Sequence, residues 1–142
     1  MAVTATRTRR TAGPSGRPAE RCWPVACGVD VVELEQFERA VKRWGAVFLG
    51  RIFTQLERRY AEQHRHPLLH LAARFAAKEA VVKAMAQVDP AHPLTLQQIE
   101  IRNDSLGRPY VVLRDGPTKY PAVHVSLSHA EHVAMAMAVV QS

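Results

Sequence analysis

Three short stretches of this 142-residue chain set polar groups in apolar surroundings. The first is Asp30, within Cys27-Gly28-Val29-Asp30-Val31-Val32. A carboxylate inside a strand-like apolar run is costly to bury unless a cation pairs with it, and Gly28 leaves room for another group to approach the backbone. The alternative is an edge position where Asp30 is simply solvated. The second stretch is Arg74-Phe75-Ala76-Ala77-Lys78-Glu79-Ala80-Val81-Val82-Lys83, in which Glu79 and Lys83 stand four apart and share one face of a helix. Such a pair is either a wet surface contact, worth a few tenths of a kcal/mol, or a half-buried functional pair beside Phe75 and Val82. In the second case Glu79 can share a hard divalent cation with Asp30, while Lys83 neutralises phosphate charge. The third stretch is Ser126-Leu127-Ser128-His129, whose hydroxyls and imidazole can hold a phosphate or merely cap a turn. No nearby acid makes a Ser–His–Asp triad of it. His64, His66 and His70 form another cluster, but Pro67 follows His66 and we expect no metal site there.

The elements that must position these residues follow from periodicity. Val25 to Val32 reads as a first strand. Leu34, Phe37, Val41 and Trp44 have helical spacing, and the segment Gly45 to Gly50 is expected to interrupt that helix. Thr54-Gln55-Leu56-Glu57 is a capping-box pattern opening a helix from about Leu56 to Gln63, with a loop at His64 to Pro67. Leu68 to Met85 is the strongest helical segment, alanine-filled with Leu71, Phe75, Val82 and Met85 on one side, and Asp89-Pro90-Ala91-His92-Pro93 must end it. Ile99 and Ile101 begin a strand that turns at Ser105-Leu106-Gly107-Arg108-Pro109 into Tyr110 to Leu113. Val123 to Ser128 and Val133 to Val140 alternate as two further strands. Helices precede most strands, so the expected class is α+β.

Length allows one domain. With 47% hydrophobic residues and no apolar run near the roughly eighteen needed to span a bilayer, a soluble globular chain is expected, without membrane partners. The formal charge of +6 is unevenly distributed: +4 over residues 1–21, −4 over 22–38, +7 over 39–83 and −1 thereafter. The basic middle suits an acidic partner or phosphates, or is a solvated helix face. Residues 1–22 are Arg-rich and acid-poor like a transit peptide, but have no apolar core and no sustained amphipathicity. They read as a disordered basic leader before a domain spanning 23–142. Cys22 and Cys27 make neither a zinc knuckle nor a disulfide framework; Cys27 is expected to be buried and inert, and a reducing cytoplasm fits.

In this order and at these separations, the motifs resemble the small acyl-carrier-protein-synthase type of phosphopantetheinyl transferase from about Val25 to Val140. They are Gly28-Val29-Asp30-Val31-Val32-Glu33-Leu34, Arg51-Ile52-Phe53-Thr54 with Glu57, Arg74-Phe75-Ala76-Ala77-Lys78-Glu79-Ala80 with Lys83, Gly107-Arg108-Pro109, and Val123-His124-Val125-Ser126-Leu127-Ser128-His129. The resemblance implies an antiparallel sheet packed against helices and transfer of 4'-phosphopantetheine from coenzyme A to a serine of an acidic apo acyl carrier protein, releasing 3',5'-ADP, in fatty-acid or polyketide synthesis. It implies that Asp30 and Glu79 hold Mg²⁺ on the coenzyme A pyrophosphate and that Lys83 sits by the bridging oxygen. Arg74, Lys78 and His129 would line the nucleotide and phosphate side. The serine would lose its proton to a water or to Glu79. The family forms homotrimers with each active site between two subunits.

Departures from the family pattern lie around this machinery. Gln36 stands where an arginine six residues after the motif aspartate is usual, with Arg39 three residues on. Met85-Ala86-Gln87-Val88-Asp89-Pro90 replaces a glycine-rich segment, Val133 a common aromatic, and Ala130 a common hydroxyl residue. Three rival readings remain. A nucleic-acid binder accounts for the basic charge but lacks aromatics interleaved with it. A metal-dependent phosphodiesterase can use the same Asp–Glu–Lys set, and a silent relative can serve as a scaffold.

Overall fold

The computed structural model describes residues 25–115 and 121–141, so the expected leader, 1–22, lies outside the described residues, as does Cys22. In chain order the elements are β1 (Val25–Glu33), α1 (Leu34–Ile52), α2 (Gln55–Glu62), α3 (Pro67–Val88), a short 3-10 turn (Leu96–Gln98), β2 (Ile99–Asn103), β3 (Pro109–Leu113), β4 (Ala122–His129) and β5 (Val133–Gln141). The class is α+β. The strands form two antiparallel groups: a three-stranded sheet in the order β1-β5-β4 and the hairpin β2-β3. In the sheet, Asp30 stands opposite Ala136, which stands opposite Leu127 on the far strand.

Helix α3 lies across one face of the three-stranded sheet, and both surfaces are made of small residues. From the helix come Ala72, Ala76, Ala77, Ala80 and Ala84, each fully buried; from the sheet come Ala26, Ala134, Ala136 and Ala138. Gly28 marks the tightest point. A Cβ built there would lie 2.1 Å from the carbonyl oxygen of Ala80 and 2.8 Å from the amide nitrogen of Ala84. Both obstacles are backbone, so neither can rotate away. The strand's twofold alternation sends Ala26, Gly28 and Val32 toward the helix and Cys27 to the opposite, exposed face. This corrects the expectation that Cys27 is buried: an apolar run need not be buried on both sides.

The turn expected at Gly45 to Gly50 is smaller than that. The chain leaves helical geometry at Gly45 alone (φ 52°, ψ −137°) and then resumes the helix to Ile52. That backbone conformation suits a residue without Cβ, and it turns Phe48 back onto Phe37, whose ring also meets Phe53 and Phe75. The capping box forms as the sequence indicates. Thr54 Oγ1 accepts from the Glu57 amide at 3.4 Å, and Glu57 Oε2 accepts from the Thr54 amide at 2.9 Å. Gly28→Ala is therefore expected to cost about 3 kcal/mol or more, lowering Tm by roughly 10 °C in a thermal melt, because overpacking against fixed backbone has no cheap relaxation.

Candidate active site

Asp30 occupies an inward-facing position on β1, two residues beyond the Gly28 contact, and α3 passes beside it. Lys83 Nζ donates to Asp30 Oδ1 at 2.7 Å and to the Val29 carbonyl at 2.9 Å. The lysine is half-exposed (51%), whereas Asp30 retains only 18% of its side-chain exposure. Thus the observed ion pair of Lys83 is with Asp30 across the elements, not with Glu79 one helical turn earlier. Asp30 and Glu79 line one open cleft of about 670 Å³ together with Gln36, Phe37, Phe48 and Phe75. Burial raises the Glu79 carboxyl above the ordinary carboxylate value, the Asp30 charge raises it further, and Lys83 opposes both.

One turn beyond Lys83, Gln87 Nε2 donates to the Cys27 carbonyl at 2.6 Å and to the Lys83 carbonyl at 3.1 Å. Among the described residues strand β1 pairs only with β5. On its other edge, side chains of α3 take the carbonyls of Cys27 and Val29 in place of a neighbouring strand. Glu79, Lys83 and Gln87 therefore form one line along the helix over that edge. Gln87 was readable only as part of a glycine-free segment; its i+4 spacing from Lys83 was the signal that could have placed it here.

Asp30 and Glu79 fit a hard divalent cation. Both are oxygen donors on one cleft, and a shared cation would offset both the burial of the Glu79 carboxyl and the Asp30 charge beside it. Among the described residues no group of three or more His, Cys, Asp or Glu forms a metal cluster, so a cation here would draw its other ligands from water and phosphate oxygens.

The remaining expected residues lie apart from this cleft. Lys78, expected on the phosphate side, has no exposure at all. Its Nζ pairs with Glu57 Oε2 at 2.6 Å and donates to the carbonyls of Ile52 (2.5 Å) and Leu96 (3.0 Å), while Glu57 Oε1 accepts from the Ile101 amide at 2.8 Å. Burial pushes the Lys78 amine down and Glu57 pulls it back. This corrects the expected role: neighbouring residues on a helix point about 100° apart, so Lys78 enters the core while Glu79 faces the cleft. Arg74 is also buried, stacked 3.9 Å over the Tyr60 ring with Nη2 donating to Asn103 Oδ1 at 2.6 Å. It borders a separate cleft with Arg59, Arg102 and Tyr110. His129 ends β4 and lines a third cleft, of about 720 Å³, with Arg65, His66, Leu68 and Glu131. His64 and His70 stack on each other at 4.2 Å between ring centres.

Residues 26–138 match the 4'-phosphopantetheinyl transferase superfamily. A relative from Protochlamydia amoebophila, described as a holo-[acyl-carrier-protein] synthase, is 41% identical over 115 residues, covering 79% of this chain and 93% of that one. Two solved structures superpose over 82% of this chain and 96% of theirs. One, an ACPS–CoA complex given as from Chronobacterium ammoniagenes, has a TM-score of 0.71 at 30% identity. The other, the holo-(acyl-carrier-protein) synthase of Bacillus anthracis in complex with CoA (3',5'-ADP), has a TM-score of 0.67 at 32% identity. The chain belongs to the 4'-phosphopantetheinyl transferase superfamily, among its holo-[acyl-carrier-protein] synthases.

The raised carboxyl of Glu79 has a consequence for stability. Well below the ordinary carboxylate value the group is protonated in both folded and unfolded chains and costs nothing. As pH rises past the ordinary carboxylate value the unfolded chain ionises first, so stability is lost progressively until, above the raised folded-state value, the loss is complete. In cation-free buffer, Glu79→Gln should raise Tm by about 1–3 °C at pH 8, with the gain shrinking toward pH 4, as followed by thermal melts across that range.

Proposed function

We propose that this enzyme transfers 4'-phosphopantetheine from coenzyme A to a serine of an apo acyl carrier protein, leaving holo carrier and 3',5'-ADP. The observation that carries this reading is the place of Asp30, which shares one open cleft with Glu79 and holds Lys83 Nζ at 2.7 Å. In the transfer, the serine oxygen forms a bond to the β-phosphorus of coenzyme A as the bond from that phosphorus to the bridging oxygen breaks. The serine proton passes to a water or to Glu79. When bound, Mg²⁺ supplies hard Lewis-acid neutralisation of the pyrophosphate oxygens. Asp30 and Glu79 supply its protein ligands. Lys83, a point charge on a flexible stem, stabilises the charge that develops on the departing 3',5'-ADP. Little further protein chemistry is required for phosphoryl-type transfer beyond position and charge.

The homotrimer with shared sites is part of the same proposal. One chain holds Asp30 and Glu79 on one cleft and His129 on another, a separation that suits a site completed by a neighbouring copy. The outer face of the three-stranded sheet also favours a second copy, because Val25, Val29, Val31, Met135 and Met137 stand exposed there. Among the described residues no helix is long and apolar enough to cross a membrane, and Cys27 is a free thiol, which suits a reducing cytoplasm.

The acidic carrier would approach along α1. Arg39, Lys42, Arg43 and Trp44 line a shallow cleft there that shares Gln36 with the catalytic one. Arg39 and Lys42 are held by Glu35 and Glu38 in exposed pairs that are easily exchanged for a partner's carboxylates.

Two measurements test this reading. Incubation with coenzyme A, Mg²⁺ and apo carrier should add one phosphopantetheine to the carrier's mass, and Asp30→Ala or Glu79→Ala should slow that gain by about 10²–10³-fold; no mass gain with any of several carriers would sink the assignment. Reversing charge at Arg39 and Arg43 should raise KM for the carrier and flatten its salt dependence while leaving KM for coenzyme A unchanged.

A further inference from the structure

The ammonium of Lys83 rests on the carboxylate that a divalent cation needs. We propose that Lys83 holds the cation's place on Asp30 and gives it up when phosphate arrives, so that cation and coenzyme A bind cooperatively through exchange of one lysine. The inference rests on the functional reading above and concerns the order in which that site fills.

The geometry carries it in four steps. Among the described residues Lys83 Nζ has two hydrogen-bond acceptors, Asp30 Oδ1 and the Val29 carbonyl. Its side chain is half-exposed, so an unbranched stem can swing toward solvent without repacking the core. A divalent cation on the same carboxylate would meet a like charge at contact distance, so either the ammonium moves or the cation stays weakly held. A pyrophosphate gives the displaced ammonium new acceptors, which lowers the cost of moving it. By linkage, whatever coenzyme A contributes to cation binding, the cation returns to coenzyme A.

Gln87 makes the exchange local. Its bond to the Cys27 carbonyl keeps the β1 edge attached to α3 when the Val29 carbonyl loses its lysine. The contact at Gly28 does the same from within the core. Departure of Lys83 therefore loosens one side chain and not the strand that carries Asp30.

The test uses Mn²⁺ as the probe, with binding followed by the electron paramagnetic resonance of the free ion and no carrier present. Without coenzyme A, Lys83→Met and Lys83→Gln should each bind Mn²⁺ about fivefold tighter than the unmodified enzyme. Coenzyme A should tighten Mn²⁺ binding in the unmodified enzyme by a larger factor than in either variant. Arg108→Met, which removes an equal charge already paired with Asp104 in the turn between β2 and β3, should leave Mn²⁺ affinity unchanged. If both Lys83 variants bind Mn²⁺ no tighter than the unmodified enzyme, or if Arg108→Met tightens it equally, the exchange is refuted while the cation site itself stands. If Asp30→Asn leaves Mn²⁺ binding intact in every background, the cation assignment fails and the proposal falls with it.

Discussion

The site depends on how closely β1 approaches α3. At Gly28 the strand touches helix backbone directly, with no side chain between them. That contact sets the distance at which every later pair must meet. Two residues on, Asp30 falls within reach of Lys83, and the Val29 carbonyl within reach of the same ammonium. A Cβ between the two elements would push them apart and separate the carboxylate from the helix that bears Glu79. The alanines of α3 and of β5 extend this close packing away from the glycine, so the alanine-rich composition of both segments serves one geometric end.

A second constraint fixes the other side of the helix. Lys78 and Glu57 form a fully buried ion pair whose remaining hydrogen bonds go to backbone at the end of α1, the cap of α2, the 3-10 turn and the middle of β2. Desolvation makes such a pair a poor source of net stability, but removing either member would strand a charge in the core. Its effect is on arrangement: four segments distant in sequence are tied to one turn of α3. Glu79 is the next residue, so the orientation that buries Lys78 also presents Glu79 to the cleft. The Glu57 carboxylate does double duty, closing the α2 capping box with one oxygen while receiving Lys78 and the Ile101 amide.

Much of this was legible in residue order because the relevant forces are local. The capping box at Thr54, the helix ahead of Asp89-Pro90 and the hairpin around Gly107 depend on neighbours within a few residues. Asp30, Glu79 and Lys83 were each conspicuous as polar groups in apolar runs, though which pairs would form was not. The i+4 spacing of Glu79 and Lys83 suggested a helical pair, whereas the structure pairs Lys83 with Asp30, more than fifty residues earlier. Lys78 was misjudged for the same reason. In sequence it is a basic residue beside a functional acid, and only Glu57, brought by a different helix, makes its burial possible. Cys27 differs from its expected burial because an apolar strand in a small sheet can leave one face uncovered within a single chain. At Gly45 the extent of the break was tertiary information: the Phe48 contact with Phe37 brings the chain back into helix at once.

The choice of lysine at position 83 follows from the charge of the site. Glu79 is raised chiefly by burial and further by the Asp30 charge, and Lys83 opposes both. A cation beside the two carboxylates therefore favours their charged forms, whether or not substrate is bound. An arginine would meet Asp30 with a fixed planar fork suited to a permanent bidentate pair. A lysine offers one compact charge on a stem that can reach Asp30 in one arrangement and a phosphate oxygen in another. The same group can then stabilise the free enzyme and the departing nucleotide, provided the strand beneath it stays in place when it moves. Gly28 inside the core and Gln87 at the edge meet that condition, and neither contact involves the atoms that react.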